Sequence, residues 1–295
     1  MNVNRIVDVH NGDTLGALRT FLAGFWDRFG ADAMLAPCES PDSCAITTRL
    51  VTERNGLSSV NPFAPLMVSN AARPVKQYME EHVTSRLIAL LRPCELRVLV
   101  ELLNRNGNRP SDTRPILVGV DCLGTFPAEE YEWRAEKYGA EQVTREMLQF
   151  ARQGGILPYR YRFACQMCGA PMPPEVADVT IDVLGLPARE VILITARDEA
   201  AARRLRLDQI TDATATDSQR VASAKRLLGL RRRLPDVGIE HFGSFTGKAA
   251  RTSKTNTGGA GSDDDCFVLE SHVILCRPCR QLPHPDDESN DSRPP

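Results

Sequence analysis

Nine cysteines stand in this 295-residue chain, at Cys38, Cys44, Cys94, Cys122, Cys165, Cys168, Cys266, Cys276 and Cys279. Thiolates are soft metal ligands and redox groups. The cytosol keeps thiols reduced, so metal or redox chemistry is a better account of them than a disulfide framework. The five histidines, His10, His82, His241, His272 and His284, form no helical i, i+4 pair, so any metal is held mainly by sulfur. Cys165-Gln-Met-Cys168 is a C-x-x-C whose sulfurs can reach one metal or cluster from a single turn. With Cys94 and Cys122 it makes four thiolates, the full shell of a 4Fe-4S cluster. Four cysteines also hold zinc, and a C-x-x-C also serves thiol exchange. Zinc sites generally bring two paired knuckles, whereas here one pair joins two scattered cysteines, which suits a larger cluster. An exchange motif belongs at a helix start, while Pro171, Pro173 and Pro174 follow this one closely. Cys38 and Cys44 are either ligands of a second cluster or small buried hydrophobes. Cys276-Arg-Pro-Cys279, with Cys266 nearby, supplies only three sulfurs.

The elements that must position these thiols are legible around them. Arg86-Leu-Ile-Ala-Leu-Leu-Arg-Pro-Cys94, a helix from Glu95 to about Asn104, and Pro115-Ile-Leu-Val-Gly-Val-Asp-Cys122 read as a β-α-β crossover. Its strands run parallel, so Cys94 and Cys122 both lie just beyond a strand's carboxyl end. That edge is where open α/β sheets bind ligands. Apolar runs at 34–36, 45–51, 87–91, 116–120, 179–184 and 191–195 alternate with helical patterns. This predicts an α/β fold with a parallel-rich sheet flanked by helices. Leu15, Leu18, Phe21, Leu22, Phe25 and Phe29 recur at helical spacing between Asp13 as N-cap and Gly30 as stop. Pro127 opens a charged helix over 128–152 that Gly154-Gly155 ends. A further helix over 218–233 ends in Arg231-Arg232-Arg233, a basic last turn or a docking patch.

Composition excludes several classes. A formal net charge of -2 gives no field that draws a protein onto phosphate backbones, so nucleic acid is not an expected partner. No apolar run approaches the roughly 20 residues that span a bilayer, so no membrane span is expected. Residues 1–13 are polar where a signal peptide would be apolar, so a cytoplasmic location is expected. The chain divides into a domain over 1–234 and a low-complexity tail over 235–295 that keeps a remnant C-x-x-C. Residues 253–265 are mostly Ser, Thr, Gly and Asp, which predicts a disordered or loosely packed tail. Val268, Leu269, Val273, Ile274 and Leu275 could add one short strand to it.

Four segments in order carry a family resemblance: Val60-Asn-Pro-Phe-Ala-Pro65 with Asn70, Arg92-Pro-Cys-Glu-Leu-Arg97, Gly119-Val-Asp-Cys-Leu-Gly-Thr125 and Ala164-Cys-Gln-Met-Cys168. Over about residues 7–233 the chain resembles the coenzyme F-420 hydrogenase/dehydrogenase beta subunit family, which includes beta subunits of formate dehydrogenases. The resemblance implies an oxidoreductase subunit of α/β fold that holds FAD and a 4Fe-4S cluster. Such a subunit passes electrons between a hydride carrier and a catalytic hydrogenase or dehydrogenase subunit or a ferredoxin-type protein. By motif position, Cys94, Cys122, Cys165 and Cys168 are the implied cluster ligands. Asn61 and Asn70 belong to the implied flavin pocket, and Arg97 could neutralise phosphate there. A Pro-ordered loop with Asn in its turns is the alternative account of that stretch. The carrier could be coenzyme F-420, NAD(P) or a ferredoxin, and no G-x-G-x-x-G or Walker A pattern chooses among them. Many relatives continue into a ferredoxin-like module, where this chain has its Gly/Ser/Asp-rich tail. That departure leaves open a degenerate, non-catalytic relative, and the cysteine chemistry alone leaves open a zinc-stabilised scaffold or binding module.

If the tail is dispensable to the site, removing residues 235–295 should leave metal content and the fold of the first domain unchanged. Metal analysis and circular dichroism of the truncated protein check this. Lost metal or aggregation would bring Cys266, Cys276 or Cys279 into the site.

Overall fold

Asp13 and Gly30 bracket the first helix. In the computed structural model, which describes residues 2–40, 45–105, 115–151 and 161–216, α1 runs Thr14–Phe29. The Asp13 carboxylate accepts from the Gly16 N–H, and Gly30 closes the helix at φ 64, ψ 49, a left-handed conformation that costs glycine little. Leu15, Leu18, Phe21, Leu22 and Phe25 are buried along one stripe, as the spacing predicts.

Eight strands form one sheet: β1 (Val3–Asp8), β2 (Ala33–Glu39), β3 (Ile46–Val51), β4 (Leu87–Leu91), β5 (Ile116–Val120), β6 (Val179–Asp182), β7 (Val191–Ala196) and β8 (Ala213–Thr214). Their order is β3-β2-β4-β5-β6-β7-β1-β8. The centre, β2-β4-β5-β6, is parallel, and the pairs outside it are antiparallel. Every residue of β4 and β5 is buried, as parallel strands covered on both faces require. Their alternation divides the core. Leu87, Ala89 and Leu91 pack with Ala72 and Val75 of α2 (Ala72–Glu81) and Leu96 and Leu99 of α3 (Pro93–Arg105). Ile88, Leu90, Ile116 and Val118 turn to the other face, with α1, α4 (Ala128–Tyr138) and α5 (Ala140–Gln149).

Three features depart from the sequence reading. The helix expected over 128–152 is two helices, because Gly139 takes φ 87 between α4 and α5. β1 and β8 were not expected, since Asn4 and Arg5 obscure the alternation of β1, and Arg5 reaches Thr211 and Thr214 on the strand's exposed side. α2 carries Pro74 in its first turn, where the missing N–H breaks no helical bond. Cys44, the Gly154-Gly155 stop, the 218–233 helix, the domain boundary at 234/235 and the tail with Cys266, Cys276 and Cys279 lie outside the described residues. Among the described residues no helix is long and apolar enough to cross a membrane.

Buried carboxylates stitch β5 to its neighbours at both ends. Asp178, fully buried, accepts from the Leu117 N–H at 3.0 Å and faces Arg197 at 3.3 Å and Arg204 at 3.8 Å. Asp121 accepts from the N–H groups of Val183 and Leu184, both at 2.9 Å. Burial, then the neighbouring Asp182 carboxylate, holds Asp121 well above the usual carboxylate range. Burial also pushes Asp182 up to about 6, against the hydroxyls of Thr195 and Thr180.

This pair makes stability fall as pH rises. An unfolded Asp loses its proton near pH ~4. Folded Asp182 keeps its proton until about pH 6, so in between the native state binds more protons than the unfolded one. Asp182→Asn, which keeps an acceptor for Thr195, should therefore be more stable than wild type by up to about 3 kcal/mol at pH 7, the scale of a shift of about two pKa units. Urea midpoints should show that gap closing as pH drops toward ~4. A gap that is absent at pH 7 would mean the carboxylate is fully compensated.

Candidate metal centre and the adjoining cleft

The register of β4 on β5 sets the first two thiols level. Leu91 pairs with Gly119, and Cys94 and Cys122 each follow three residues later. Cys94 sits in the first turn of α3, after Pro93, whose missing N–H is harmless at that position. Glu95 reaches back from the same turn. Its Oε2 accepts from the Arg92 N–H at 2.8 Å, a capping-box bond, and its Oε1 accepts from the Ala71 N–H at 3.0 Å at the start of α2.

The other two thiols are brought over by the chain at 161–173, which closes onto the end of β5. Gly119 makes room for Pro173, whose ring occupies the space a Cβ at 119 would need. Gly124, at φ 97, lies under the Tyr161 ring, which a Cβ there would approach to 2.5 Å. Backbone bonds zip the two loops: Arg162 N–H to Thr125 O at 2.9 Å and Cys122 N–H to Pro171 O at 2.9 Å. Cys165 lies in the single turn of α6 (Phe163–Gln166), and the Cys168 N–H closes onto the Cys165 carbonyl at 3.3 Å. The Thr125 hydroxyl stands 3.1 Å from the Cys165 sulfur.

The thiols sense one another. Burial raises the Cys94 thiol first, Glu95 adds to it, Arg92 opposes, and Cys165 and Cys168 raise it further. Burial pushes Cys122 up to about 12, with Arg92 and the Gly124 N–H opposing and Cys94 and Cys165 adding. Cys94 therefore lies within electrostatic reach of Cys165 and Cys168, and Cys122 within reach of Cys94 and Cys165. The raised Cys94 and Cys122 thiols stay neutral until a cationic centre displaces their protons. Among the described residues no group of three or more His, Cys, Asp or Glu is arranged to hold a single metal ion. Cys38 is elsewhere, fully buried in the core of β2, where it is a small hydrophobe.

The residues implied for a flavin are more dispersed. Asn61 is fully buried, and its amide donates to Glu39 at 2.7 Å and Thr144 at 2.9 Å while its Oδ1 has no partner. Asn70 accepts from the Ala72 N–H at 2.9 Å, which starts α2. Arg97 is exposed and donates to the Ala170 carbonyl at 3.1 Å, tying α3 to the cysteine loop. None of the three lines the cleft that does open beside Cys94, between residues 46–48 and 66–69 with Arg92 and Glu95 at its base. Of two arginines missed in the sequence, Arg92 lines that cleft and Arg162 bonds the backbone of one of its wall residues. Arg92 donates to Ala64 O at 2.7 Å and Arg162 to Met67 O at 3.0 Å. Around the C-x-x-C, Phe163 (70% exposed), Met167, Met172 and Val98 leave apolar surface open, the composition of a docking face.

The sequence matches no family model and no curated protein. In fold the chain is similar to a chain of the F420-reducing NiFe hydrogenase complex from Methanosarcina barkeri. The two share 9% identity at a TM-score of 0.52, over 76% of this chain and 88% of the other. The α/β architecture is therefore one already found in a hydrogenase complex.

The raised Cys122 thiol has a direct readout. In metal-free folded protein at pH 8, its thiolate fraction should be on the order of a thousandfold below that of an unperturbed cysteine. Iodoacetamide labelling followed by mass spectrometry should find Cys122 protected until the chain is unfolded. Labelling at the unfolded rate would mean the sulfur is not desolvated.

Proposed function

We propose that this chain is an electron-transfer subunit of a hydrogenase- or formate dehydrogenase-type oxidoreductase, with one 4Fe-4S cluster and FAD. What supports the reading is that Cys94 and Cys122 both follow the carboxyl ends of the parallel strands β4 and β5, and that Cys94 lies within electrostatic reach of Cys165 and Cys168. The donor set fits the group: four sulfurs, no imidazole among them, with the Cys94 and Cys122 thiols held neutral by burial until iron compensates their charge. A bound cluster supplies one-electron transfer, and a flavin supplies two-electron exchange with a hydride carrier.

In this reading the four cysteines hold the cluster, and the Thr125 hydroxyl and Gly124 N–H bond to sulfur and so tune its potential. The 61–70 loop borders the flavin, with Asn70 and Arg97 near its surface and Asn61 anchoring the loop from below. The apolar surface at Phe163, Met167 and Met172 receives the catalytic subunit, or a ferredoxin-type partner, over the buried cluster. The fold likeness to a chain of a hydrogenase complex supports a partner of that kind.

Anaerobically purified protein should be brown, with broad absorbance at roughly 400 nm and about four iron and four sulfide per chain. Replacing any one of Cys94, Cys122, Cys165 or Cys168 with Ser should cut iron content severely, whereas Cys38→Ala should leave it in place. A colourless protein carrying one zinc would overturn the proposal in favour of a structural metal.

A further inference from the structure

The cleft beside Cys94 contains a cation without a counter-charge. Arg92 is 4% exposed and lines the cleft, yet its guanidinium makes one hydrogen bond, Nη2 to the Ala64 carbonyl at 2.7 Å. Among the described residues no carboxylate lies within ion-pair distance of it, so Nε and Nη1 are left without an acceptor. Glu95 also lines the cleft, but its two oxygens accept from the Ala71 and Arg92 amides. A fork with two donors free of protein partners matches an anionic oxygen pair. Arg162 repeats the pattern on the far side of the same loop. Its Nη1 donates to Met67 O, its Nε is buried without an acceptor, and no described carboxylate pairs with it.

We propose that this cleft binds a phosphate group, with Arg92 as the anchoring cation. Thr47, Thr48 and Ser69 bring hydroxyl donors to its walls. Of the two charged groups in the lining, Glu95 already accepts from two backbone amides, which leaves the Arg92 guanidinium as the charge free to meet a ligand. The cleft is a shallow groove open to solvent, which admits a phosphate group at its mouth rather than a ring system in its depth. The phosphate could belong to a flavin nucleotide, in which case the site rests on the reading above. It could equally be free phosphate, in which case the site stands apart from that reading.

Titration of the full chain with inorganic phosphate, riboflavin, FMN and FAD at fixed salt decides the matter. Arg92→Gln should weaken the phosphate-bearing probes about tenfold or more, the worth of a charged hydrogen bond, with Arg92→Lys between the two. Ser69→Asp places a negative charge at the exposed mouth without touching the core, and it should weaken the same probes even if Arg92→Gln fails to fold. If FMN and FAD weaken while riboflavin does not, the phosphate is a flavin nucleotide's. If inorganic phosphate weakens while FAD binding is unaltered, or absent from wild type, the phosphate site stands. Absent FAD binding would sink only the flavin reading. Phosphate-bearing probes that bind equally to wild type and both variants, or bind to none, would overturn the proposal.

Discussion

Parallel pairing of β4 with β5 is the constraint on which the rest of the structure depends. Parallel neighbours end level at one edge, so two cysteines at equal offsets from Leu91 and Gly119 leave the sheet side by side. Such a pair is stable only when covered on both faces, and the chain meets that need with α2 and α3 below and α1, α4 and α5 above. The glycines of the edge then let a second loop settle on it. Pro173 sits on Gly119 and Tyr161 on Gly124, and each contact depends on a missing side chain.

Polar groups buried at this edge act as positioning devices more than as sources of stability. Glu95 holds the first turns of α2 and α3 together with one carboxylate, which fixes where Cys94 points. Asp121, next to Cys122 in the chain, holds the amides that follow β6. Burying these groups costs desolvation that satisfied hydrogen bonds only offset. The return is a definite geometry at the sheet edge that carries Cys94 and Cys122.

The crossover and its two cysteines were legible in the sequence because β4 and β5 are continuous apolar runs, each ending in a cysteine, and buried parallel strands have no other pattern. α1 was legible from its cap, stripe and stop. The antiparallel flanks were less so, since the alternation of β1 is broken by Asn4 and Arg5 and β8 has only two residues. Gly139 reads as an ordinary helix interruption until its positive φ is seen. Strand ends and cysteine spacing made the edge position of Cys94 and Cys122 legible, but no spacing rule announces that Arg92 lacks a counter-ion. That depends on where Glu95 directs its oxygens. Asn61 shows the converse, an amide that looks like a ligand contact and is instead held between Glu39 and Thr144.

The placement of β1 also sets an order of events during synthesis. Val3 pairs with Ala196, and the strand's other neighbour is β8 at Ala213–Thr214, so both partners of the chain's first strand are among the last described residues to be made. At 5–20 residues per second the ribosome needs roughly 10–40 s to travel from β1 to β7. Through that interval β1 waits with both edges unpaired, while Cys94, Cys122, Cys165 and Cys168 have all been translated before β7 begins at Val191. The thiols therefore exist as a complete set before the sheet that presents them can close.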